Sequence, residues 1–201
     1  MKKIGTLLLM DSVTSMNRDR VNFEDKVIST FRTHNRDKLV YSRSVKGKTA
    51  PNCLELLRKR ASEYSFFSNK MDDNRAYILL GLAEENHSIS KRWFETTMHH
   101  IIDEVMFLGF DPCIVSCRKK SEYSERSYQK VHDGKKQLYV NTPNWNYTSC
   151  YSLNIISKQR NVDMIKCDVR CANQWDTLSI ETINRLTNLI SRDLDSFVND
   201  L

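Results

Sequence analysis

The chain has 201 residues, 40% of them hydrophobic and 28% charged, and a formal net charge of +6. This length suits one domain, expected over residues 1–201, with a core large enough to need no disulfide or metal staple. Five glycines and three prolines exclude collagen-like, low-complexity and long-linker architectures, and no apolar run reaches the ~18 residues of a membrane span.

Met1-Lys2-Lys3 followed by the apolar run Ile4 to Met10 reads as a buried first strand. A signal peptide is disfavoured because the run is short, Asp11 interrupts it and no small-residue cleavage site follows. Asn22 is placed to cap a helix through Val27, Ile28 and Phe31, ending near His34-Asn35. Residues Lys38 to Val45 are rich in β-formers and predict a strand. Pro51 then opens a helix carrying Cys53, Leu54, Leu56, Leu57 and Ala61 at helical spacing.

One long helix is expected over about 73–108, interrupted near Asn86 to Ser88, because Phe94, Met98, Ile101, Ile102 and Val105 share one face. Gly109 ends it and Pro112 forbids its continuation. Cys113 to Cys117 follows as a short buried strand. The polar, basic stretch Arg118 to Lys136 reads as a loop or a short exposed helix, with a turn at Asp133-Gly134. Three strand-like runs come next, 137–141, 147–157 and 162 to 169 or 171, and their short connections favour antiparallel hairpins. An amphipathic helix closes the chain, with Ile183, Leu186, Ile190, Leu194, Phe197 and Leu201 at spacings of three and four. The expected fold is therefore α+β or mixed α/β: one layered domain around a central, partly antiparallel sheet.

Charge is blocked along the chain. Arg32 to Arg60 holds nine basic residues against two acids, and Arg118 to Lys136 seven against three. The spans Met71 to Asp111 and Asp163 to Leu201 are acidic, with eight acids against three bases and seven against four. Such segregation creates a field that steers an anionic partner. Cations interleaved with aromatics neutralise phosphates and stack on bases. The leading expectation is a non-enzymatic basic protein that binds nucleic acid, RNA or DNA, or an acidic protein surface. The residues expected to carry it are Arg36, Lys38, Tyr41, Arg43, Lys46, Lys48, Arg118, Lys119, Lys120 and Tyr123.

Two further readings accompany it. An acid at the exit of a buried strand can hold a metal outside the carboxyl ends of a sheet. This makes Asp11, joined by Ser116 and Asp168, a candidate centre of a metal-dependent hydrolase or phosphotransferase. The complementary charge blocks alternatively suit a self-assembling homo-oligomer.

The pairs Cys113/Cys117 and Cys167/Cys171 have a spacing that zinc knuckles allow. In a strand, however, residues four apart sit roughly 13 Å apart, so buried reduced thiols are the preferred reading, and no cofactor is expected. His99 and His100, near Glu95, Asp103 and Glu104, read as an exposed helix face. Reduced thiols without a signal sequence place the protein inside the cell, in the cytoplasm or nucleus, with no membrane association. The abundance of Asn, Ser, Ile and Lys suits an AT-rich genome, such as a viral one.

Overall fold

The computed structural model of the protein describes residues 2–15, 23–35, 38–82, 89–119, 126–133, 136–143, 145–169 and 178–199. In chain order the elements are β1 (Lys3–Met10), α1 (Ser12–Ser15), α2 (Phe23–His34), β2 (Leu39–Lys46), α3 (Ala50–Lys59), α4 (Ala61–Ser68) and β3 (Asp73–Leu79). They continue with α5 (Lys91–Phe107), β4 (Asp111–Lys119), β5 (Arg126–Asp133), β6 (Lys136–Pro143), α6 (Trp145–Arg160), β7 (Asp163–Val169) and α7 (Ile180–Asn199).

Five strands form one sheet in the order β2-β1-β3-β4-β7. Every neighbouring pair in it is parallel. Parallel neighbours need crossover connections, and helices supply them here. Helices α2 and α7 cover one face, where Phe23, Val27 and Phe31 meet Ile183, Leu186, Ile190 and Leu194 over Ile4, Leu8 and Met10. Helices α3 to α6 cover the other, with Cys53, Leu57, Phe94, Ile101, Leu153 and Ile156 packed over Leu7, Leu9, Ile78 and Ile114. The sheet is thus buried on both sides. Central β1 is buried at seven consecutive positions after Lys3, whereas edge strand β2 mixes buried and exposed residues.

The expectation of a partly antiparallel central sheet is corrected by this topology. The antiparallel pair that exists, β5 with β6, is a separate two-stranded ribbon in register Lys130 opposite Tyr139. Two elements account for the difference. Residues 147–157, expected as a strand, lie in α6, so β7 is reached by a helical crossover and pairs parallel to β4. The expected long helix over 73–108 is two elements, because Asp73–Leu79 is strand β3 and the helix begins only at Lys91. Gly81, at φ +108°, turns the chain out of β3. Ser90 caps α5 by accepting from Trp93 N at 3.2 Å.

The amino-terminal edge of the sheet is closed by one cation. Arg75 on β3 is 2% exposed and pairs with Asp111 at the start of β4, Asp163 at the start of β7 and Asp193 on α7. Its guanidinium also lies 4.7 Å from the centre of the Phe197 ring. Burial alone would lower the pKa of this group, but the carboxylates of Asp163 and Asp193 reverse that and hold it charged. Removing the cation leaves three carboxylates facing one another. Arg75→Met is expected to cost about 2–3 kcal/mol of unfolding free energy, because Asp111 and Asp163 stay partly solvated. Urea denaturation measures this, and a loss below about 0.5 kcal/mol would show that the cluster is not a stabilising hub.

Candidate active site at the strand exits

The chain leaves β1 toward β2 on one side of the sheet and leaves β3 toward β4 on the other. The crevice between the carboxyl ends of β1 and β3 is therefore the topological switch point, where open α/β sheets bind ligands. Asp11 and Ser12 follow β1 directly, and Gly81 and Leu82 follow β3.

Asp11 is fully buried. Its Oδ1 accepts from Thr14 N at 3.0 Å and from Thr14 Oγ1 at 3.1 Å. Its Oδ2 accepts from Leu82 N at 2.9 Å. A buried carboxylate is tolerated only when its lone pairs are met in this way. The charge locks the turn after β1 to the turn after β3.

Ser12 stands at the mouth of that lock. Its Oγ donates to the Lys48 carbonyl at 3.2 Å, and its N–H faces the same carbonyl at 3.4 Å. Lys48 follows β2, so three strand exits meet at this serine. Gly47 allows the approach: a Cβ there would lie 2.6 Å from both the N and the Sγ of Cys53. Gly47 N and Cys53 Sγ both donate to the Met10 carbonyl, at 3.0 and 3.2 Å.

The crevice is walled on one side by the start of α6. Ser149 Oγ donates to the Gly81 carbonyl at 3.0 Å, and Cys150 Sγ contacts the Cys117 carbonyl at 3.5 Å. Cys117 opposes Cys167 in the β4–β7 register. Burial pushes the Cys117 thiol well above its ordinary pKa, and Cys167, Asp11 and Cys150 add to the shift.

Of the residues expected to be catalytic, the structure brings Ser116 and Asp168 together on one cavity wall, and puts Asp11 in the lock beside it. Among the described residues no group of three His, Cys, Asp or Glu side chains is placed to hold a metal ion. Cys113, Cys117 and Cys167 are buried free thiols on β4 and β7, and Cys171 lies outside the described residues. Asp103 and Glu104, beside His99 and His100, pair with Arg160 and Arg58.

The residues expected to form a basic surface fall on several elements. Lys38 Nζ is held by Asn35 and by Asn199 of α7, and Arg43 stacks over Phe67 at 5.0 Å. Tyr41 is 39% exposed on edge strand β2, and Lys46 and Lys48 are exposed at its exit. Arg118 and Lys119 end β4, paired through the backbone with Asp168 and Val169. Arg36, Lys120 and Tyr123 lie outside the described residues. Residues that sequence reasoning passed over are Ser12 as a reactive group, and Ser149, Tyr151 and Asn154 on α6. The pair Asp11-Ser12 at the end of a buried strand was the available signal.

No protein-family model matches the sequence, and no curated protein resembles it significantly in sequence. Solved structures do match over nearly the whole chain. The psychrotrophic esterase EstA from Pseudoalteromonas sp., in a structure inhibited by monoethylphosphonate, superposes with a TM-score of 0.66 at 10% identity, covering 97% of this chain and 98% of its own. The carbohydrate acetylesterase Est24 from Sinorhizobium meliloti gives 0.62 at 10% identity, covering 96% and 99%. A protein from Desulfitobacterium hafniense assigned to the G-D-S-L family of lipolytic proteins gives 0.61 at 11% identity, covering 94% and 98%.

The fold is thus the α/β fold of SGNH-type hydrolases. This finding overturns the expectation of a non-enzymatic nucleic-acid-binding protein, since the solved structures that share the fold include esterases and a protein of a lipolytic family. The viral reading of the composition finds no support in these neighbours either. As to membranes, no helix among the described residues is long and apolar enough to cross one.

Two outcomes test this geometry. Asp11→Asn replaces one accepting oxygen by a donor, so the N–H of Thr14 or Leu82 loses its partner. The expected cost is about 1–3 kcal/mol in chemical denaturation, and an unchanged midpoint would refute the lock. The second concerns the buried thiols: burial, aided by the charge of Asp193, pushes Cys113 up to about 12. In the unfolded chain a thiol ionises near ~8.5, while the folded protein keeps the proton. Stability is therefore level below that pH and falls as pH rises toward 12. Cys113→Ala should flatten the decline between pH 8 and about 10.5, and an equally steep decline would exclude this thiol as its source.

Proposed function

We propose that the protein is a carboxylic-ester hydrolase with Ser12 as its nucleophile. The observation that carries this reading is the placement of Asp11-Ser12 at the exit of β1, in the switch-point crevice of a fold shared with esterases and lipolytic hydrolases. Over the four letters of the G-D-S-L name this chain reads Met10-Asp11-Ser12-Val13. The acid and the serine are kept, and Val13 replaces one aliphatic residue with another. Met10 stands where the glycine would be, with a buried side chain in the core under α2 and α7.

The roles follow from the bonds. Asp11 does not act as the proton acceptor, because Thr14 and Leu82 occupy its oxygens. It fixes the backbone on which Ser12 is carried. The Lys48 carbonyl orients the Ser12 hydroxyl but, as an amide oxygen, does not take its proton. In the reaction the Ser12 oxygen attacks the ester carbonyl and its proton ends on the departing alcohol; water then attacks the acyl group, which leaves as the carboxylic acid while the serine oxygen regains a proton.

A fluorophosphonate probe tests the assignment. The intact protein should be labelled once, with the adduct on the peptide containing Ser12, and should hydrolyse 4-nitrophenyl acetate above the buffer rate. Ser12→Ala should abolish labelling and lower kcat/KM by about 10³-fold or more. A folded protein that is neither labelled nor faster than buffer would show that the fold serves binding without turnover.

A further inference from the structure

Strand β2 stands at one end of the sheet order and pairs with β1 on one side. Its two ends fix which backbone groups face the other side. Leu39 N donates to the Lys2 carbonyl at 2.9 Å, and Gly47 N donates to the Met10 carbonyl at 3.0 Å. In a parallel ladder the residues that alternate with these turn both backbone groups away from the partner strand. Val40, Ser42, Ser44 and Lys46 therefore present their N–H and C=O groups to the edge.

Three of those four carbonyls are met by side chains. Arg32 Nη2, from α2, donates to the Val40 carbonyl at 3.1 Å. Arg43 Nη1 turns back to the Ser42 carbonyl at 3.0 Å, with its guanidinium held 5.0 Å from the centre of the Phe67 ring of α4. Tyr64 Oη, also from α4, donates to the Ser44 carbonyl at 3.4 Å. The donors thus reach the edge from both helical layers. Burial pushes the Tyr64 hydroxyl above its ordinary pKa, so it keeps the proton it donates.

An end strand with unmet carbonyls is a template on which another strand adds. The sequence of β2, Leu39-Val40-Tyr41-Ser42-Arg43-Ser44-Val45-Lys46, contains no proline or glycine and is rich in residues that favour strands. The partner always at hand is the same strand of a second copy, since two identical edges pair about a two-fold axis. The exposed side chains of Arg43 and Lys46 would add repulsion between like charges in such a pair.

We infer that Arg32, Arg43 and Tyr64 form a clasp that keeps the β2 edge from pairing with the β2 edge of a second copy. The clasp gives two cations of the basic block 32–60 a task within the chain, and it is independent of the chemistry at Ser12.

The combined variant Arg32→Met, Arg43→Met and Tyr64→Phe removes the three donors and keeps side chains of similar length. Association is read by sedimentation velocity over a concentration series, and the edge itself by amide hydrogen exchange in NMR. The variant should form dimers or larger species at concentrations where the wild type does not change. In the associated form the amides of Val40, Ser42 and Ser44 should exchange about tenfold more slowly, or slower still, than in the wild type. Ser44→Pro, added to the same variant, removes one outward N–H and leaves the β1 ladder intact. It should return the sedimentation to that of the wild type. Circular dichroism and the melting temperature establish folding. If the combined variant does not fold, Arg32→Met with Arg43→Met carries the same test and leaves the buried Tyr64 in place.

A folded variant that sediments like the wild type at every concentration would overturn the clasp. Association that leaves exchange at these three amides unchanged, or that Ser44→Pro does not reverse, would place the contact on another surface and overturn it equally.

Discussion

A single buried carboxylate sets the geometry on which the proposed chemistry depends. Asp11 is sealed from solvent, and a charge so placed is stable only while its oxygens are met by donors. The donors come from two chain segments far apart in sequence, the turn at Thr14 and the turn at Leu82. Meeting them fixes the separation of the β1 and β3 exits. Ser12, one residue along, adds the β2 exit through the Lys48 carbonyl. Most partners in this arrangement are backbone groups, and a backbone group places few demands on residue identity. That is consistent with a fold that superposes closely on EstA while sharing 10% of its residues.

The other edge of the sheet is held by side chains instead. Arg75 gathers Asp111, Asp163 and Asp193 across two strands and a helix, and Tyr77 donates to Asp193 at 2.9 Å. The two ends are therefore organised by opposite charges, each buried at the centre and answered from several elements. One end is closed and serves stability. The other carries a carboxylate spent on backbone amides, and a hydroxyl is left at the surface beside it.

How much of this the sequence discloses depends on the element. The run Ile4 to Met10, the Pro51 helix, the face of α5, the Gly109 stop and the stripe of α7 follow from composition and period, and the structure places each where expected. Residues 73–79 do not, because Ala76-Tyr77-Ile78-Leu79-Leu80 is continuously apolar and carries no period to separate strand from helix. Residues 147–157 are rich in Tyr, Thr, Cys and Ile, which favour strands, and packing against β4 and α5 makes them helical. That one segment decides the fold class. As a strand with short connections it makes the sheet antiparallel, and as a helix it becomes the crossover that makes β7 parallel. Charge misleads for a related reason: the tally cannot tell a solvated cation from one already engaged. Lys38, Arg43, Arg58 and Arg60 are all engaged within the chain.

The same segment hides the site. Read as a strand, Tyr151 and Asn154 fall on opposite faces, and no common surface connects them. Read as a helix, they share one face, and the preceding turn brings Ser149 to Gly81 and Cys150 to Cys117. Ser116 and Asp168 are identifiable from sequence as polar residues near strand ends, but their meaning depends on what stands opposite them. With α6 in place they become one wall of a cavity closed from the other side by the helix. The residues that carry chemistry were thus partly visible one by one. What the sequence withheld was the period of a single segment, and that period determines which residues face one another.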